Sequence, residues 1–288
     1  MEDLEFTGER LMTSVQAEYG VIEHLHRYAL AQKLTAGKTV LDIASGEGYG
    51  SFLLSKNAKQ VYGVDIDENA VKHAQNKYAA ASNVEYRVGS TDKIPLEDHS
   101  VDIVVTFETI EHHDKHELMM QEIKRVLKPD GLLLISSPEK SLYKERERHN
   151  PYHIKELVLK DFEDLLKKYF THTHLLYQKI VVGSLIHLVD TKLPTENHLF
   201  DGDYTHIEEG LREGGFFNKP YFNLAICSNV DFKEYSKIGF SLFNGESVIQ
   251  KEREMFQTEK KKVQDSASYK LGNFVMRKLS FVSRIWKK

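Results

Sequence analysis

Cysteine is almost missing from this chain: Cys227 is the only one among 288 residues. A disulfide within the chain is therefore excluded, and so is a zinc cluster built on several thiolates. An excess of either charge is missing too, with 39 Lys and Arg against 43 Asp and Glu. The formal net charge of −4 gives no overall footprint for nucleic acid, and no nucleic-acid partner is expected. No apolar run is long enough to span a bilayer. The acidic opening Met1-Glu2-Asp3-Leu4-Glu5 lacks the apolar core of a signal peptide, so the cytoplasm is the expected location. Apolar residues are plentiful, at 41%, which suffices for a large core and is too much for a disordered chain.

The most informative stretch is Thr39-Val40-Leu41-Asp42-Ile43-Ala44-Ser45-Gly46-Glu47-Gly48-Tyr49-Gly50. An apolar strand ends in an acid and a Gly-x-Gly turn, then residues that open a helix. Glycine permits positive φ there and leaves the backbone open to a ligand. Val61-Tyr62-Gly63-Val64-Asp65 is a second strand ending in an acid, at the spacing of a β-α-β unit whose carboxylate meets ribose hydroxyls. Asp42 argues against a dinucleotide, because a carboxylate near the turn would repel a pyrophosphate. It suits a ligand that carries an ammonium and a sulfonium, which points to S-adenosylmethionine.

Residues 38 to 138 resemble the class I S-adenosylmethionine-dependent methyltransferases of the type-11 kind. The resemblance rests on the glycine turn, Asp65 and Gly89-Ser90-Thr91-Asp92-Lys93-Ile94-Pro95-Leu96. It rests equally on Ser100-Val101-Asp102-Ile103-Val104-Val105 and Val126-Leu127-Lys128-Pro129-Asp130-Gly131, five motifs in the family's order. It implies a Rossmann-like, seven-stranded, mostly parallel α/β sheet flanked by helices. Strands are predicted near 38–44, 60–65, 84–88, 101–107 and 131–137, with a sixth over 174–189 and a seventh over 221–229. The last is expected antiparallel, between the fifth and sixth. Helices are predicted at 14–34, 47–57, 67–80, 115–127 and 154–169, and Lys128–Gly131 is expected to be a turn that stops a helix. The expected division is a cofactor-covering helix in 1–35, a methyltransferase domain in 36–230 and a helical extension in 231–288. The insertion 190–218 is expected to form a lid or a homo-oligomer interface.

Ligands of such sheets bind beyond the carboxyl ends of the strands. That gathers Asp42, Ala44, Ser45, Gly46, Gly48, Asp65, Ile66, Ser90, Thr91, Asp92, Phe107 and Glu108 around one crevice. The resemblance implies that Asp65 accepts the ribose hydroxyls and that Ile66 covers the adenine. Ser90 stands where many relatives have Asp. By the same analogy Arg27 meets the methionine carboxylate; the alternative is a surface cation.

Phe107-Glu108-Thr109-Ile110-Glu111-His112-His113-Asp114 carries the densest chemistry. Were it α-helical, Glu108, Glu111 and His112 would share one face and could hold a divalent metal. Quinone-pathway O-methyltransferases, in which metal dependence is associated with such a run, have a similar Glu-x-x-Glu-His. Type-11 members without known metals share it as well, and the metal-free reading is preferred. His112, His113 and His153 are the candidate bases for deprotonating an acceptor hydroxyl.

A second resemblance is to bacterial methyltransferases of surface-glycan assembly. It is carried by Gly8-Glu9-Arg10, Glu23–Tyr28, Phe107–His112 and Asn150-Pro151-Tyr152-His153. It implies O-methylation of a sugar in O-antigen or capsule synthesis, on a small-molecule or lipid-linked substrate, with Lys140, Lys144, Arg146 and Arg148 facing phosphates. The basic, amphipathic stretch 270–288 would then dock on an anionic membrane or a glycan-assembly partner, placing the protein at the membrane's inner face. The other readings are methylation of a lipophilic metabolite such as a quinone precursor, and a non-catalytic cofactor-binding scaffold.

Overall fold

The structure, a computed structural model, describes residues 11–13, 19–142, 150–181, 200–202, 207–209, 220–232 and 241–271. Seven strands form one sheet: β1 (Thr39–Ile43), β2 (Gln60–Asp65), β3 (Val84–Val88), β4 (Val101–Thr106), β5 (Leu127–Pro138), β6 (His172–Gln178) and β9 (Phe222–Ser228). Their order is β3-β2-β1-β4-β5-β9-β6. The pairs from β3 through β5 are parallel, while β9 runs antiparallel to both β5 and β6. This is the expected fold, including the reversed strand between the fifth and sixth. Phe200–Gly202 (β7) and Ile207–Glu209 (β8) make a separate antiparallel pair.

The central strands read as unbroken apolar runs because both their faces are buried. Alternate residues serve alternate sides. Leu41, Ile43, Val104, Leu133 and Ile135 join one core cluster with Met119, Met120 and Ile123 of α4 (His116–Val126) and Phe162 and Leu166 of α5 (Leu159–Tyr169). Val40, Ile103, Val105, Leu132 and Leu134 join the other with Tyr28, Leu30 and Ala31 of α1 (Tyr19–Thr35) and Leu54 of α2 (Tyr49–Ser55). The helix α3 (Glu68–Lys77) starts at Asp67, whose side chain accepts the Asn69 amide at 2.8 Å and caps the first turn. The helix α6 (Glu246–Asp265) is preceded by Gly245, where a Cβ would lie 2.4 Å from Ile22 of α1.

Several elements differ from the sequence reading. Lys128–Gly131 does not end a helix as a turn; α4 stops at Val126 and the tetrad lies within β5. There it is looped out of the ladder, since Val101 pairs with Leu127 and Ile103 with Leu132. Gly131 is needed for close approach rather than for positive φ, because a Cβ would meet the Asp102 carbonyl oxygen at 3.0 Å. The helix expected over 154–169 begins only at Leu159. Its first residues are drawn off, as the Ile154 and Lys155 amides donate to the Glu111 carbonyl at 2.8 and 3.0 Å. The sixth strand is described over 172–178, and 182–189 lie outside the described residues, as do 14–18 of the first predicted helix. Gly8–Arg10, Lys144, Arg146, Arg148 and most of 190–218 and 270–288 are likewise outside them. No described helix is long and apolar enough to cross a membrane.

Candidate functional site

Beyond the carboxyl ends of β1, β2 and β4 lies a cavity of about 700 Å³. Arg27, Ala44, Ser45, Gly46, Asp65, Ile66, Ser90, Thr91, Asp92, Phe107 and Glu108 all line it, as do Glu111, His112, His113 and His153. The two named residues that do not are Asp42 and Gly48.

Asp42 is buried beneath the glycine turn. Its carboxylate accepts the Ser51 hydroxyl at 2.7 Å and the Tyr28 hydroxyl at 3.2 Å. It therefore ties α1 and α2 to the tip of β1, and of this trio it is Tyr28 that reaches the cavity. Burial raises its pKa to about 7 against the opposing pull of the Ser51 and Tyr28 donors. A carboxyl whose folded value exceeds its unfolded value of about 4 stabilises the fold fully below pH 4 and loses that contribution as pH rises through 7. Asp42→Asn should accordingly gain stability relative to the parent between pH 5 and pH 8, on the order of 3 kcal/mol. Urea denaturation at each pH reads the difference, and a parallel pair of pH profiles would contradict it.

Gly48 precedes α2 with φ +88°, and a Cβ there would lie 2.6 Å from the Ala74 Cβ and 2.8 Å from the Tyr86 ring. Glycine is dictated at this position by helix packing as well as by backbone conformation. Ala44 and Gly46 also have positive φ, 63° and 57°, so the loop after β1 turns sharply. The Gly46 amide donates to one Asp65 oxygen at 2.7 Å and the Asp67 amide to the other at 3.0 Å. The Asp65 carboxylate is thereby fixed at the cavity wall. Ile66, next in sequence, is 75% exposed and presents an apolar platform on the same wall.

Arg27 is 1% exposed, which rules out a surface cation. Its Nε donates to Gln178 at 2.7 Å, its Nη1 pairs with Glu108 at 3.3 Å, and the guanidinium lies 4.6 Å from the centre of the Phe222 ring. Nη2 has no hydrogen-bond partner among the described residues, and the Ser45 hydroxyl at the same cavity has none either. A fixed, buried cation with an unused donor is suited to an anionic ligand group. Burial, followed by the Arg27 charge, holds the His24 pKa well below the ordinary histidine value.

The run Phe107–Asp114 is not α-helical. Glu108 has φ 52°, and only Ile110–His112 form a 3₁₀ turn. The helical face proposed for Glu108, Glu111 and His112 does not exist. Glu108 turns toward Arg27 and accepts the Ser136 hydroxyl at 2.5 Å. The ligand atoms of Glu111, His112 and His153 instead lie within 4.8 Å of one another. His113 faces Thr91, Nε2 to Oγ1 at 3.2 Å, and burial with the neighbouring His116 keeps its pKa below the usual value. Ser90 donates to Asp92 at 2.5 Å, and Lys115, then Ser90, hold the Asp92 pKa down at about 2.

Sequence reasoning missed Gln178, Phe222 and Ser136, which position Arg27 and Glu108 from strands distant in the chain. It also missed Glu47, fully buried at the cavity and bonded to the Thr13 amide at 3.2 Å and the Lys77 ammonium at 2.7 Å. Glu47 sits between the two glycines, and that place was its only signal.

A family model described as a methyltransferase domain matches residues 41–135. A Mycolicibacterium smegmatis protein described as a probable S-adenosylmethionine-dependent methyltransferase is 35% identical over 167 residues, which are 57% of this chain and 64% of that protein. A Mycobacterium tuberculosis protein of the same description is 37% identical over 167 residues, 57% of this chain and 60% of the relative. This chain thus spans less than two thirds of either relative. The PH0226 protein of Pyrococcus horikoshii shares the fold with a TM-score of 0.52 at 23% identity, over 75% of this chain and 93% of its own.

Proposed function

We propose that this chain, which carries a class I S-adenosylmethionine-dependent methyltransferase domain, moves the cofactor's methyl group onto a hydroxyl of a small-molecule acceptor. The observation that carries the reading is the joint placement, on one cavity, of the anchored Asp65 carboxylate, the apolar platform of Ile66 and the unused donor of buried Arg27. These fit a molecule with a ribose, an adenine and a carboxylate.

Bound there, S-adenosylmethionine supplies the methyl as an electrophile on its sulfonium. Asp65 keeps lone pairs for two hydroxyls after accepting its two backbone amides. Ile66 covers the base, and Arg27 receives the carboxylate through Nη2. His113 is the base in this reading. Its low pKa leaves it neutral at pH 7, and its Nδ1 has no partner among the described residues, so it can accept a hydroxyl proton there. Residues 36–230 form the catalytic domain, α1 covers the cofactor, and 231–288 form the extension.

We propose a sugar as the acceptor, in bacterial surface-polysaccharide assembly. The cavity is also lined by Lys115, Asn150, His112 and His153, which suit a hydroxyl-rich ligand better than a lipophilic one such as a quinone precursor. Incubation with methyl-labelled cofactor and a panel of nucleotide-sugars should transfer label to a sugar. Label entering a quinol and no sugar would overturn the choice of acceptor.

Arg27→Met should weaken S-adenosylhomocysteine binding roughly tenfold, by loss of a charge-assisted contact. Adenosine, which lacks the carboxylate, should bind as before. Equal loss for both ligands would remove Arg27 from the carboxylate's end of the site.

A further inference from the structure

The wall of the cavity near His112 has a construction that methyl transfer by itself does not require. The segment 150–158 is stapled onto the 3₁₀ turn by the Ile154 and Lys155 amides, both bonded to the Glu111 carbonyl. The Asn150 side chain accepts the Tyr152 amide at 3.0 Å, and the Asn150 carbonyl accepts the His153 amide at 3.2 Å, closing a tight turn. That turn sets the His153 ring beside the His112 ring, with centroids 5.3 Å apart at 77°. The Glu111 carboxylate lines the same cavity as the two rings, on a residue only 1% exposed.

The hydrogen bonds also fix which ring nitrogen carries the proton. His112 Nδ1 lies 3.1 Å from the Tyr152 carbonyl oxygen, and His153 Nδ1 lies 2.7 Å from the Glu156 carboxylate. Both partners can only accept, so each Nδ1 must donate and each neutral ring holds its lone pair on Nε2. Imidazoles oriented in this way by a carbonyl or a carboxylate are the form in which histidine ligates metals. The three ligand atoms, one from each residue, lie within 4.8 Å of one another.

We infer that Glu111, His112 and His153 form a binding site for one divalent first-row transition metal. Two imidazoles and one carboxylate suit zinc, iron, cobalt or nickel better than magnesium or calcium, which prefer all-oxygen sets. The set is not the Glu108-Glu111-His112 trio of the sequence pattern; Glu108 is engaged by Arg27 and Ser136, and His153 takes its place. The metal would hold an acceptor oxygen beside His113 in the cavity, a use that rests on the methyltransferase reading. Metal binding itself does not.

The test is titration of the EDTA-dialysed full chain with Co²⁺, followed by its visible absorption and by calorimetry. One Co²⁺ per chain is expected, with roughly tenfold or greater loss of affinity in His112→Gln and in His153→Gln. Glu156→Gln, which touches no metal, should lose roughly tenfold by freeing the His153 ring. It decides the matter if the histidine variants do not fold. No Co²⁺ binding by the parent, or the same affinity in every folded variant, overturns the site. S-adenosylhomocysteine is titrated in parallel. Co²⁺ binding without it would sink the methyltransferase reading and leave the metal site standing, and the reverse result would do the opposite.

Discussion

Replacing Asp65 by alanine should weaken binding of S-adenosylhomocysteine by roughly 100-fold, about 3 kcal/mol. The carboxylate is gripped both by the loop after β1 and by the start of α3, through the Gly46 and Asp67 amides. Its removal deletes the charged acceptor that the proposed function gives to the ribose hydroxyls and leaves those two amides without their partner, so the wall of the cavity loses its shape along with its charge. Asp65→Asn should fall between, because an amide oxygen can keep one of the backbone bonds. Equilibrium dialysis with labelled ligand reads both variants. Affinity unchanged in Asp65→Ala would remove this residue from the cofactor site.

Gly48→Ala should be the most destabilising single change in the glycine turn. A side chain at φ +88° costs about 1–2 kcal/mol, and a Cβ placed 2.6 Å from Ala74 and 2.8 Å from Tyr86 adds about 1–3 kcal/mol of overpacking. Neither neighbour yields easily, since Ala74 belongs to α3 and the Tyr86 hydroxyl donates to the Gly48 carbonyl at 2.8 Å. For a chain of this size the midpoint of thermal unfolding should drop by roughly 5–15 °C. A loss of ligand affinity with no change in midpoint would mean that Gly48 serves the ligand and not the packing.

The parts of the fold legible in the sequence were those that short stretches encode. Five parallel strands and the acids at the tips of β1 and β2 follow from apolar runs bounded by turn residues. Even the reversed β9 was placed, through a family resemblance rather than through any pattern in Phe222–Ser228. What could not be read depends on contacts between distant segments. Nothing near Asp42 says that Tyr28 and Ser51 will take its oxygens and keep it out of the cavity. The helical spacing of Glu108, Glu111 and His112 was real, but Glu108 adopts a left-handed conformation and pairs with Arg27 and Ser136. Arg27 itself sits in an amphipathic helix where a solvated cation is the ordinary case; its burial comes from Gln178 and Phe222 on the two antiparallel strands. His153 reaches His112 because the Glu111 carbonyl captures two amides that the pattern assigned to a helix.

The most direct measurement of the central claim is calorimetric titration of the full chain with S-adenosylhomocysteine at neutral pH. The cavity built on Arg27, Asp65 and Ile66 predicts one molecule per chain with a dissociation constant on the order of micromolar. No heat of binding at millimolar ligand would contradict it and would leave the glycine turn as a structural feature without a cofactor.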